Sequence, residues 1–66
     1  MPFNERLKEL RLSKKLSQKQ LSSLLSISWR AIQNYEYGKQ EPTLSVLISL
    51  ADFFNISLDD LVGRIK

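Results

Sequence analysis

Apolar residues recur along this chain at the spacing of α-helices. Phe3, Leu7 and Leu10 stand at i, i+4 and i+7 and predict a first helix from Phe3 or Asn4 to Lys14, with Asn4 placed to act as an N-cap. Arg11 extends the same stripe, so its guanidinium either snorkels to solvent or meets a carboxylate inside. A second helical pattern runs from Ser17 to Leu25 and puts Leu21, Leu24 and Leu25 on one face. A third runs from about Trp29 to Tyr37, with Ile32 and Tyr35 on one face and Trp29, Arg30, Gln33 and Asn34 on the other. A fourth follows Pro42, capped by Thr43, with Leu44, Leu47, Ile48, Ala51 and Phe54 as its core stripe and Val46, Leu50 and Phe53 widening the apolar surface, of which Leu50 could belong to the core while Val46 and Phe53 point further round. A short fifth, capped by Ser57, turns Leu58, Leu61 and Val62 inward and stops at Gly63. No stretch alternates as a strand does. The expected fold class is therefore all-α: five short helices in one domain covering residues 1–66.

The junctions carry signals of their own. Ser17 with Gln20 makes a capping box, flanked by Leu16 and Leu21 at the positions of a hydrophobic staple. Ser28 is placed to cap the third helix and Gly38 to end it. Between the second and third helices lies only Ser26-Ile27-Ser28, where Ser26 has to reverse the chain and is expected to need a left-handed backbone. Two short helices around so tight a turn have the length and rhythm of a helix-turn-helix over residues 17–37, whose second helix is built to enter a DNA groove.

Charge adds a direction to this picture. The net charge is +3, but from Lys8 to Lys39 seven cations face two carboxylates, a balance of +5, whereas from Gln40 onward the balance is −2. A basic half joined to a mildly acidic one suits a polyanion on one face, although a merely solvated surface fits charge alone equally well. There is no cysteine and no histidine. That removes disulfide bridges, thiolate chemistry and the usual zinc ligands, so no metal and no cofactor are expected. No Gly-rich phosphate loop or paired carboxylates support catalysis, and Asp59-Asp60 read as capping charge at a helix start, so the chain is not expected to be an enzyme. No apolar run approaches a membrane span, and a soluble, cytoplasmic protein is expected.

With Leu16-Ser17-Gln18, Leu21, Leu25, Ile27-Ser28, Ile32, Tyr35-Glu36, Gly38-Lys39, Pro42, Leu44, Leu47, Ala51 and Ile56-Ser57-Leu58-Asp59-Asp60-Leu61 in view, the chain resembles the lambda-repressor-like, Cro-type regulators of the Xre family. The resemblance extends from Phe3 to Val62. It implies a compact five-helix bundle in which helix two crosses the DNA backbone and helix three presents its N-terminal residues to the major groove. It also implies a partner for Arg11, an ion pair with Glu36 at the end of helix three. The chain departs from the family at Ser22 and Ser26, where alanine and glycine are usual, and at Trp29, where smaller or polar residues are commoner.

The candidate contacts follow. Arg30 can donate two hydrogen bonds to guanine O6 and N7, or clamp a phosphate. Asn34 and Gln33 can pair with adenine one turn further along, with Gln33 the better placed for phosphate or solvent. Trp29 either packs on a thymine methyl or a sugar edge, or leans on helix two as a partly exposed aromatic. Ser17, Gln18, Ser28 and Lys39 suit phosphates, while Lys14, Lys15 and Lys19 supply diffuse attraction or simply a solvated face. Val46, Phe53 and the helix-five region are candidates for a homodimer contact, the alternative being additional core packing. The expected function is sequence-specific binding of double-stranded DNA by a small transcriptional regulator, a repressor acting as a homodimer on a palindromic operator. The competing reading is a protein-interaction module, such as an antitoxin or adaptor, using the apolar surface of helix four on a protein partner.

Overall fold

The computed structural model describes residues 3–62, and five helices follow one another along them: α1 (Phe3–Ser13), α2 (Gln18–Leu25), α3 (Trp29–Glu36), α4 (Leu44–Phe54) and α5 (Leu58–Leu61). There is no strand among the described residues. The expected stop at Gly63 lies outside them. Ser17, Ser28, Thr43 and Ser57 cap α2 to α5, each side-chain oxygen accepting from the backbone N–H three residues on. At Ser17 the capping box is complete, since the Gln20 side chain also accepts from the Ser17 N–H at 2.8 Å. Asn4 is not a cap: α1 already includes Phe3, which places Asn4 in its first turn.

Three of the junctions use one device. Lys15, Ser26 and Asn55 each adopt a left-handed backbone, with φ of 57°, 54° and 56°. The next residue, Leu16, Ile27 or Ile56, donates its N–H to a carbonyl five residues back, Arg11, Ser22 or Ala51, at 3.2, 3.0 and 3.0 Å. Its side chain then packs against the core. A serine follows in each case and caps the next helix. This is the Schellman ending, in which a left-handed residue lets otherwise unpaired helix carbonyls be satisfied. Two residues thus separate the end of α2 or α4 from the cap of the next helix, and three separate the end of α1 from the Ser17 cap, which fixes the angle between the helices.

The core consists of Leu7, Leu21, Ile32, Tyr35, Leu50, Ala51, Phe54 and Leu61, drawn from all five helices. Three expectations about facing need correction. Leu24 is exposed and does not join Leu21 in the interior. Leu58 is likewise on the surface, leaving Leu61 as the buried residue of α5. On α4 the buried stripe is rotated from the expected one. Leu50 is fully buried beside Ala51 and Phe54, while Leu44 is 65% and Ile48 44% exposed. The cause is the wide apolar arc of this helix, which offers two flanks around the same central line and leaves the choice to its neighbours. Those neighbours cover the Val46–Phe53 flank. Both side chains are half-buried against the core, the Phe53 ring lies edge-on to Phe54 at 5.0 Å, and the Lys14 ammonium sits 5.7 Å from its centroid. Val46 and Phe53 therefore flank the core and keep only part of their surface exposed.

Candidate nucleic-acid interface

The recognition unit is built by local rules and then braced from α1. Ser26, at φ 54° and ψ 37°, ends α2, and two residues later Ser28 opens α3. The hydroxyl of Ser28 accepts from Ala31 N–H at 3.1 Å, and that of Ser17 accepts from Gln20 N–H at 3.0 Å. Each hydroxyl keeps its own O–H to donate outward. Ser22 is buried and donates to the Lys19 carbonyl at 2.7 Å.

The brace is a buried carboxylate held by two side chains from other helices. Arg11 is 8% and Glu36 7% exposed. Arg11 Nε donates to Glu36 Oε2 at 2.7 Å and Nη2 to Oε1 at 3.0 Å, while Nη1 donates to the Leu16 carbonyl at 2.7 Å. Gln18 Nε2 adds a further bond to Glu36 Oε1 at 3.2 Å. A charge removed from water is tolerable only when paired and hydrogen-bonded, and among the described residues no buried side-chain polar atom lacks a partner. The bidentate fork ties the carboxyl end of α3 to α1, and Gln18 ties the amino end of α2 to the same point.

The arrangement sorts the candidate residues. Ser28, Trp29 and Arg30 stand exposed together at the amino end of α3. Ser17 is exposed at the amino end of α2, and Lys39 is exposed just past Gly38, whose φ of 75° ends α3. Gln33 and Asn34 are half-buried, and Asn34 Nδ2 reaches Gln40 Oε1 at 3.4 Å. Gln18 is also half-buried and gives one amide N–H to Glu36, which leaves its second amide N–H and its backbone N–H, one of the helix-start amides without an intrahelical partner. Trp29 leans on α2, one of the two placements expected of it: Lys19 Nζ lies over its ring, 4.5 Å from the centroid. The pattern does not reveal that Lys19 is the residue it meets, nor that Arg6 Nε donates to the Asp60 carbonyl at 3.1 Å, tying α1 to α5. Helical periodicity places residues within one helix and is silent about which side chains meet between helices. From Leu10 to Tyr35 the chain contains no carboxylate, and five cations fall within that span.

This geometry defines the chain as a helix-turn-helix protein. A helix-turn-helix family model matches residues 7–61. The chain belongs to the Xre-type helix-turn-helix family, whose members are DNA-binding regulators and not enzymes. The transcriptional activator BcrR of Enterococcus faecalis is 40% identical over 63 residues, a match covering 96% of this chain and 31% of BcrR. A transcriptional regulator from Listeria innocua superposes with a TM-score of 0.89 at 34% identity, covering 97% of this chain and 60% of that one. The restriction-modification controller protein C.AhdI from Aeromonas hydrophila superposes at 0.81 with 32% identity, covering 89% of both chains. The chain spans 31% to 57% of the length of the curated relatives it matches. No helix among the described residues is long and apolar enough to cross a membrane.

Proposed function

We propose that residues 1–66 act as one DNA-binding unit in the cytoplasm that recognises a specific double-stranded operator and represses a promoter overlapping it by excluding polymerase. The observation that carries this reading is the exposed amino end of α3, bearing Trp29 and Arg30 within a stretch that holds no carboxylate. Arg30 is the candidate for bidentate hydrogen bonds to guanine, with Gln33 and Asn34 secondary. Ser17, Ser28, Lys39 and the first amides of α2 are the candidates for phosphate contacts that set register.

The protein acts as a homodimer on a palindrome, with its two α3 helices roughly 34 Å apart, one turn of DNA. Beside the half-buried Val46 and Phe53, the more exposed apolar residues of this region are Leu44 and Ile48 on α4 and Leu58 on the adjoining α5, and they are the stronger candidates for contact with a second copy. The same surface favours the second reading, a docking face for a different protein.

Selection of bound duplexes from a random pool tests the first reading. An enriched inverted repeat supports it, and no enrichment above background overturns it. Sedimentation with and without the selected duplex separates the two uses of the apolar face: a monomer in both conditions rules out the dimer.

A further inference from the structure

The outward surface of α3 carries one large apolar side chain among polar ones. Trp29 is the first residue of the helix, 44% exposed, with Ser28 before it and Arg30 after it. The indole has a seat: the Lys19 ammonium of α2 lies over one ring face, 4.5 Å from the centroid. A cation at this distance from an indole face is attracted by the negative π surface, which holds the ring against rotation. One face is thereby covered from the α2 side, and 44% of the residue stays open to solvent.

We propose that Trp29 is a specificity-determining residue that packs on the C5-methyl group of a thymine, with Lys19 as the positioning residue that fixes the angle of the ring. This rests on the DNA-binding reading above. Residues at the amino end of the second helix of the motif reach base edges. Of the groups presented at base edges in the major groove, the thymine methyl alone is apolar. An indole accepts no hydrogen bond and donates only one, so it cannot read a guanine edge bidentately as Arg30 can, whereas its ring gains by covering a methyl. The sugar wall is the poorer alternative, because Lys19, which approaches from the helix that crosses the backbone, already occupies the ring face on that side.

Deoxyuridine provides the test, because it differs from thymidine by that methyl alone. Duplexes enriched from the random pool are resynthesised with each thymine replaced in turn, and binding is measured with the wild-type chain. Losing one buried methyl corresponds to about a fourfold weakening, expected at one position per half-site. In Trp29→Ala the difference between thymine and uracil vanishes at that position. In Lys19→Met the ratio falls toward one, and Lys19→Arg restores it. Trp29 is the sole tryptophan, so acrylamide quenching of its emission reports the contact in the unaltered protein, with stronger shielding on the thymine duplex than on the uracil one. If every thymine in an enriched duplex tolerates uracil, or if Trp29→Ala keeps the discrimination, the inference fails while the DNA-binding reading stands. If no duplex is enriched, both fail.

Discussion

Removing the Arg11 guanidinium strands a carboxylate. Glu36 would keep only the Gln18 amide as a side-chain donor, and breaking a buried pair by deleting one partner costs about 3 kcal/mol or more. A domain of this size has a total stability of only roughly 3 to 10 kcal/mol. Arg11→Met is therefore expected to lower the urea midpoint by a large part of the whole range. Replacing Glu36 with leucine in the same chain should recover most of the loss, because an apolar pair leaves no charge behind. Unchanged stability in Arg11→Met would mean that the pair contributes nothing of consequence. Ser26 lies on the other side of the balance. Its left-handed backbone strains any residue with a Cβ, by about 1 kcal/mol. Ser26→Gly should therefore raise the melting temperature by about 5 °C without disturbing the turn, whose hydrogen bonds come from the backbone. Both residues were visible as anomalies in the sequence, a charge on an apolar stripe and a serine in a position that favours glycine. Lys15 and Asn55 adopt the same backbone, and only Asn55 announced it by residue type.

At the scale of the helix, starts were more legible than faces. A cap is a bond between residues three apart, so Ser17, Ser28, Thr43 and Ser57 can be read without knowing the fold. Which flank of α4 turns inward depends on α2 and α5, and a helix with eight apolar residues in eleven gives no single answer. The outcome, with Leu44 and Ile48 outside, adds these two residues to the candidate dimer surface. Ile48→Glu places a charge on that surface while sparing Leu50, Ala51 and Phe54. Circular dichroism and melting should match the parent chain, whereas sedimentation equilibrium should show the monomer at concentrations where the parent is dimeric. A variant that remains dimeric would place the contact elsewhere. The candidate DNA residues divide in the same way. Their positions on α2 and α3 follow from periodicity, but the bond from the Gln18 amide to Glu36 and the seat of the Lys19 ammonium over Trp29 depend on how the helices cross.

For the molecule as a whole, charge is distributed with a purpose that the net value of +3 hides. The span from Leu10 to Tyr35, free of carboxylates, contains all of α2 and most of α3, the two helices of the recognition motif. A protein held to DNA by phosphate contacts releases counterions, so its affinity falls steeply with salt. Lys39 stands exposed at the edge of this region. Lys39→Ala is expected to weaken binding about equally on all sequences and to reduce the slope of log affinity against log salt by about one per chain. An unchanged slope would remove Lys39 from the set of phosphate contacts.

The repeated junctions at Lys15, Ser26 and Asn55 have a kinetic consequence. Each closes between residues five apart in the chain, so the angles between successive helices are set before distant parts of the chain need to meet. Chains dominated by such short-range closures refold in microseconds to milliseconds. The Arg11–Glu36 bond spans 25 residues and can close only once α1 and α3 have met. Its removal should leave the refolding arm of a stopped-flow chevron nearly untouched and instead accelerate unfolding. The brace would then act as a latch on a domain already assembled, governing how long the recognition helix stays in place and not how quickly it arrives.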